Sequence, residues 1–247
     1  MKDDKPFDIS QVRKDIDRVD TALLELIAER LDLARYVKKA KRGGPIWRPS
    51  REESHVRDLV NMTQGHSAAL VSRIWAELMS ASLSIQGPLM IHVGLHRDQN
   101  GQTRALIHDR FGASLPIEYH ANDMAALAAA YGDENSVAIV SAPGKANRWW
   151  AALCPGGAMP DHKIMARLPR YDASDWPDAV AVAIGELAPS GHDISLLATQ
   201  TPKALPKGCV LRAESGANIL ASLDGFHTQD TLDPSVNIIG VLPHPLS

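Results

Sequence analysis

The sequence predicts a multidomain α and α/β chain: an all-helical segment over residues 7–87, then an α/β region over residues 88–247. Three observations predict it. Residues 8–41 contain neither Gly nor Pro and repeat their apolar positions every seven residues. Gly87-Pro88 breaks the chain where the helical patterning stops. From Leu89 onward, short β-prone runs alternate with helical stretches, which is the texture of an α/β domain.

In the first helix, Ile9, Ile16, Leu23 and Val37 share one seam position, and Val12, Val19, Leu26, Leu33 and Ala40 share the other. A repeat of seven favours left-handed packing against other helices. At about 1.5 Å per residue the rod is roughly 50 Å long. Arg30 falls on the seam in line with Leu23 and Val37, while Arg13 and Lys41 flank it four residues after Ile9 and Val37. A charge on an apolar seam is costly unless it is paired. Asp20 is the one acid that recurs on that face, so the expected partner is an anionic ligand.

Gly43-Gly44-Pro45 ends this helix. Ser50 with Glu53 three residues on reads as a capping box opening a second helix to about Thr63, with Val56, Leu59 and Val60 inward. A third helix is expected from Ser67 to Gln86, with Leu70, Val71, Ile74, Leu78 and Ile85 as its stripe and Ser82 and Gln86 on one flank. In the second region, strands are expected at 89–93, 115–119, 137–140, 164–168, 179–184, 194–198, 210–213 and 236–241. Helices are expected at 104–111, 123–131 and 146–153. Trp149-Trp150 is expected in a core or an interface between the two parts.

Composition narrows the function classes. The chain has 247 residues, 45% hydrophobic and 22% charged, ordinary for a soluble globular protein. Residues 1–87 carry 15 Lys and Arg against 13 Asp and Glu (+2), and residues 88–247 carry 11 against 16 (−5), so nucleic acid is not an expected partner. No uninterrupted apolar run of about 18 residues stands out, and the acidic, polar start is unlike a secretory signal; no membrane partner is expected, and the expected location is cytoplasmic. Cys154 and Cys209 follow no metal spacing, and neither do the ten histidines, so no metal is expected. Arg13 and Arg30 lie 17 residues apart, about 25 Å along one helix, further than a small ligand reaches. Antiparallel pairing of two such helices brings Arg13 of one chain toward the far half of the other, which points to an intertwined dimer with shared sites.

The order Arg13, Leu23–Arg30, Lys38–Lys41, Arg48-Pro49-Ser50-Arg51-Glu52 and Ser82–Gln86 resembles the all-helical chorismate mutase family. It is most similar to the mutase domain that opens bifunctional chorismate mutase–prephenate dehydratases. The resemblance covers about residues 8–87 and implies a three-helix domain in an intertwined homodimer. It also implies the Claisen rearrangement of chorismate to prephenate, with no cofactor. That step needs a dicarboxylate held in its reactive shape and charge stabilised on the breaking ether oxygen. By resemblance, Arg30 and the partner chain's copy of Arg13 grip the carboxylates, Lys41 and Gln86 serve the ether oxygen, and Glu52 holds the substrate hydroxyl. Arg51 and Ser82 match supporting positions. Arg48 stands where the family often has Asp. Isochorismate–pyruvate lyase on the same scaffold, and a non-catalytic protein sensing chorismate-like anions, are the rival readings.

By position, residues from 89 on resemble a dehydratase with a periplasmic-binding-protein-like fold, with a regulatory remnant from about His192. The catalytic motifs do not follow. Where that family carries Thr-Arg-Phe before a strand, this chain has Asp178-Ala179-Val180, and Ser141-Ala142-Pro143-Gly144 stands in place of Glu-Asn-Ser. The region is therefore expected to lack dehydratase activity.

Overall fold

The computed structural model describes residues 8–40, 44–63, 67–95, 101–171 and 174–246. Helices α1 (Ile9–Ala40), α2 (Pro49–Met62) and α3 (Ala68–Gln86) come first. The Gly- and Pro-free stretch forms α1 as one uninterrupted rod of 32 residues, about 48 Å long. Ala34 is its one buried residue, and both seams stay largely exposed, Leu23, Leu26 and Leu33 included.

The start of α2 differs from expectation. Arg48 occupies the N-cap position without a side-chain bond, and Pro49 opens the helix, where a missing N–H costs nothing. Ser50 thus lies inside the first turn, and Glu53 turns into the protein to pair with Arg170. A fully buried arginine competes better for that carboxylate than the backbone N–H of a cap does. The stripe expected on α3 also splits. Val71 is buried together with Ala76, Met79 and Leu83, whereas Leu70 and Ile74 are exposed. By length and composition α3 passes as a membrane-crossing helix. Here it packs between α1, α2 and the next helix, α4 (Gln102–Phe111).

The remaining chain forms β1 (Met90–Val93), β2 (Ile117–Tyr119), α5 (Asp123–Ala130), β3 (Ser136–Ser141), β4 (His162–Leu168), β5 (Ala179–Ile184), β6 (Asp193–Thr199), β7 (Val210–Ser215), β8 (Asn218–Asp224) and β9 (Val236–Pro243). These strands make a single nine-stranded mixed sheet in the order β2-β1-β3-β5-β4-β9-β6-β8-β7. β1 runs parallel to both β2 and β3, and β5 and β6 are antiparallel to their neighbours. The segment after His192 supplies β6 to β9 of the same sheet. Strand β8 was not expected, and the helix expected at 146–153 is a 3-10 turn over Trp149–Leu153. Both tryptophans are buried there, Trp149 donating through Nε1 to the Ser141 carbonyl at 3.0 Å.

Two apolar cores cover the sheet. One gathers Ala126, Leu127, Val140, Trp150, Val180 and Val182 beneath α5. The other joins Ile91, Val93, Ile107 and Phe111 to Trp47 and Leu83 of the helical segment, so the two halves share a core. Gly112 makes this closeness possible. It ends α4 at φ +63°, and a Cβ there would sit 2.9 Å from the Ala76 carbonyl and 2.8 Å from Ser80 Cβ of α3.

Candidate functional site

The site is built where α1 packs on α3, with Glu52 on the first turn of α2 within electrostatic reach of Arg30. Arg30 reaches across to α3, and its Nη1 donates to the Leu78 carbonyl at 2.8 Å and to Ser82 Oγ at 2.7 Å. The Ser82 hydroxyl in turn donates to the same carbonyl at 2.7 Å, which fixes its lone pair toward Arg30. Burial pulls the Arg30 guanidinium below its usual pKa, and the field of Glu52 opposes that. Among the described residues no carboxylate lies within 4 Å of Arg30, so neutral acceptors hold the group in place and Glu52 acts on it only from a distance.

Glu52 sits on the first turn of α2, half-buried. Its Oε2 accepts from Trp47 Nε1 at 3.3 Å and from Arg110 Nη1 at 3.1 Å. Arg110 comes from the end of α4 and its side chain is 1% exposed. It lies 5.9 Å from the Trp47 ring and 5.4 Å from the Phe111 ring. Burial lowers the Arg110 pKa first and the Arg170 charge lowers it further, against the pull of Glu52 and Glu53. Its Nε and Nη2 have no partner among the described residues. One residue on, Glu53 accepts from Arg170 Nε at 2.9 Å, and Arg170 Nη1 donates to Ser72 Oγ at 3.4 Å. Arg57 Nη2 donates to the His244 carbonyl at 2.7 Å. The sheet region therefore grips α2 through three arginine contacts.

The other expected residues are spread out. Gln86 is the last residue of α3, one turn beyond Ser82 and half-buried. Arg48 and Arg51 are exposed at the start of α2, and Arg13 is exposed at the far end of α1. Lys41 lies outside the described residues. The structure thus gathers Arg30, Ser82 and Glu52, and leaves Arg13 remote within one chain. The roomier clefts, about 470 Å³ beside Leu153 and Phe226 and about 600 Å³ beside Arg73 and Gln102, are lined by other residues.

Sequence reasoning missed Trp47, Arg110 and Arg170. The two arginines join α2 from 58 and 117 residues away, and nothing local marks them.

Residues 12–87 match the model of the chorismate mutase type II family. That segment is a chorismate mutase type II domain. The bifunctional chorismate mutase/prephenate dehydratase of Neisseria gonorrhoeae is 32% identical over 80 residues, which is 32% of this chain and 22% of that protein. The chain thus spans about a fifth of this curated relative's length. No solved structure matches the chain.

Proposed function

We propose that the protein is a chorismate mutase of aromatic amino acid biosynthesis, working in the cytoplasm. The observation that carries this is Arg30, a partly buried guanidinium fixed on Ser82 and Leu78 with no carboxylate of the described residues within 4 Å. Such a group is ready to take a substrate carboxylate by two hydrogen bonds. Glu52 then holds the substrate hydroxyl, Gln86 and Lys41 donate to the ether oxygen as charge grows there, and Arg51, Ser82 and Arg48 line the approach. The rearrangement is unimolecular, so holding the reactive shape and stabilising that oxygen supply the rate.

The second carboxylate grip comes from Arg13 of a second copy. The bare seams of α1 and the exposed Leu70 and Ile74 of α3 support this, because an apolar surface of that extent is what an intertwined homodimer covers. The sheet region serves the mutase domain. Arg110 positions Glu52 and keeps it from folding onto Arg30, while Arg170 holds the neighbouring Glu53. That region does not dehydrate prephenate, since Ala179 and Val180 are buried in β5 and offer no donor to a leaving hydroxyl. The parallel β2-β1-β3 order supports kinship with one lobe of a periplasmic binding protein.

The test is incubation of the purified full chain with chorismate, resolving products by nuclear magnetic resonance. Prephenate is expected. Pyruvate release from isochorismate without prephenate from chorismate would favour the lyase, and no turnover of either would favour an anion sensor.

A further inference from the structure

The sheet assembles three ligand-type side chains that the mutase reading leaves unused. Parallel strands β1 and β2 place His92 opposite Glu118 in register, so both side chains leave the sheet on one face. His120 follows two residues after Glu118, just past the end of β2, and returns to that face. His92 Nδ1 and His120 Nε2 stand 3.0 Å apart, and His92 Nδ1 is 3.6 Å from Glu118 Oε2. One ligand atom from each of the three falls within 4.8 Å of the others.

Those spacings match a coordination sphere. Imidazole nitrogens bound to zinc at about 2.0–2.1 Å in a tetrahedral arrangement lie roughly 3.3 Å from one another. The observed edges of 3.0 and 3.6 Å fall on either side of that value. A plain hydrogen bond between two imidazoles would need no carboxylate at the same ring nitrogen, and here Glu118 reaches it too. His92 is 7% exposed, and its register partner on β3 is the small Ala138. Glu118 is 60% exposed and His120 half-buried, so the remaining coordination direction opens to solvent. Two His, one carboxylate and an open position form the ligand pattern of a catalytic metal rather than a purely structural one. Asp133 adds negative field at His92, but its oxygens are taken by the Asn135 amide at 2.9 Å and Ser136 Oγ at 2.7 Å. The cluster lies at the carboxyl ends of parallel strands, where α/β sheets take their ligands.

We propose that His92, Glu118 and His120 form a binding site for one divalent transition-metal ion of the zinc class. The proposal does not rest on the mutase reading. The ten histidines show no ligand spacing along the chain because this site is made by strand pairing, with His92 26 and 28 residues before its partners.

The experiment strips the full-length protein with a chelator, then titrates it with Zn²⁺ by calorimetry and with Co²⁺ by visible absorbance. One ion per chain is expected, with the strong visible bands of low-symmetry four- or five-coordinate Co²⁺. His120→Ala and Glu118→Gln, both at accessible positions, are each expected to weaken binding about 100-fold or more. His244→Ala, at a histidine bonded to Asp224 elsewhere, is expected to leave it unchanged. Absence of stoichiometric binding would overturn the site. So would Zn²⁺ affinity unchanged in His120→Ala and Glu118→Gln, since the ion would then sit elsewhere.

Discussion

Replacing Arg110 by Met separates what that residue does for activity from what it does for stability. The substitution removes the 3.1 Å bond to Glu52 and leaves Trp47 Nε1 as its remaining donor among the described residues. A hydrogen bond to a charged group is worth about 1.5–3 kcal/mol, so release of Glu52 is expected to lower kcat/KM about 10- to 100-fold. Freed from Arg110, Glu52 turns toward Arg30, whose field it already feels, and competes with the substrate carboxylate. The loss is therefore expected mainly in KM. Stability moves differently. Arg110 is buried with two nitrogens, Nε and Nη2, unpartnered among the described residues and with Arg170 as a like-charged neighbour. An apolar side chain of similar length removes both costs, so the unfolding free energy is expected to change by no more than about 2 kcal/mol in either direction. The assay is steady-state turnover of chorismate beside urea denaturation for wild type, Arg110→Met, Arg110→Lys, Glu52→Gln and the double variant. Lys is expected to restore part of KM, and the double variant to be no worse than Glu52→Gln alone. An active wild type with unchanged kinetics in Arg110→Met, or an activity loss that only follows unfolding, would refute the reasoning. A wild type inert toward chorismate would instead refute the mutase assignment.

Arg30→Ala is expected to lower turnover about 100-fold or more, from loss of a carboxylate grip of about 3 kcal/mol, with a nearly unchanged circular dichroism melt; near-normal kinetics would remove Arg30 from the site. Arg170→Met leaves the buried Glu53 with Arg57, 3.7 Å from Oε1, as its remaining cation among the described residues and is expected to cost about 3–5 kcal/mol in chemical denaturation; a loss below 1 kcal/mol, about the worth of an exposed pair, would show that the contact does not anchor α2. Full-length protein given prephenate at neutral pH is expected to form phenylpyruvate no faster than buffer, and clear formation above that rate would restore a dehydratase role to the sheet region.

What could be read from the sequence was what is periodic or local. The seven-residue repeat of α1 needs no tertiary information, and neither does the β5 run Ala179–Ile184, buried on both faces and therefore continuously apolar. Arg30 stood out because a charge broke that repeat. β8 escaped notice because Asn218–Asp224 mixes Ala, Ser and Asn into a strand that gains its stability from pairing with β6 and β7. The Ser50–Glu53 pattern misled because the partner that captures Glu53 lies 117 residues away. Arg110 and the His92–Glu118–His120 cluster share that origin, since each is created by packing or strand register.

The central claim is a mutase site completed by two chains, and mixed dimers test it most directly. Arg13→Ala and Arg30→Ala are each expected to be nearly inactive alone, because each spoils every site. Co-refolded in equal amounts, half of the dimers carry both defects in one site and leave the other intact, so about a quarter of the wild-type rate of chorismate conversion is expected. No recovery once mass spectrometry, with one variant labelled with nitrogen-15, has verified the heterodimers, or a protein that stays monomeric at assay concentration, would contradict the account.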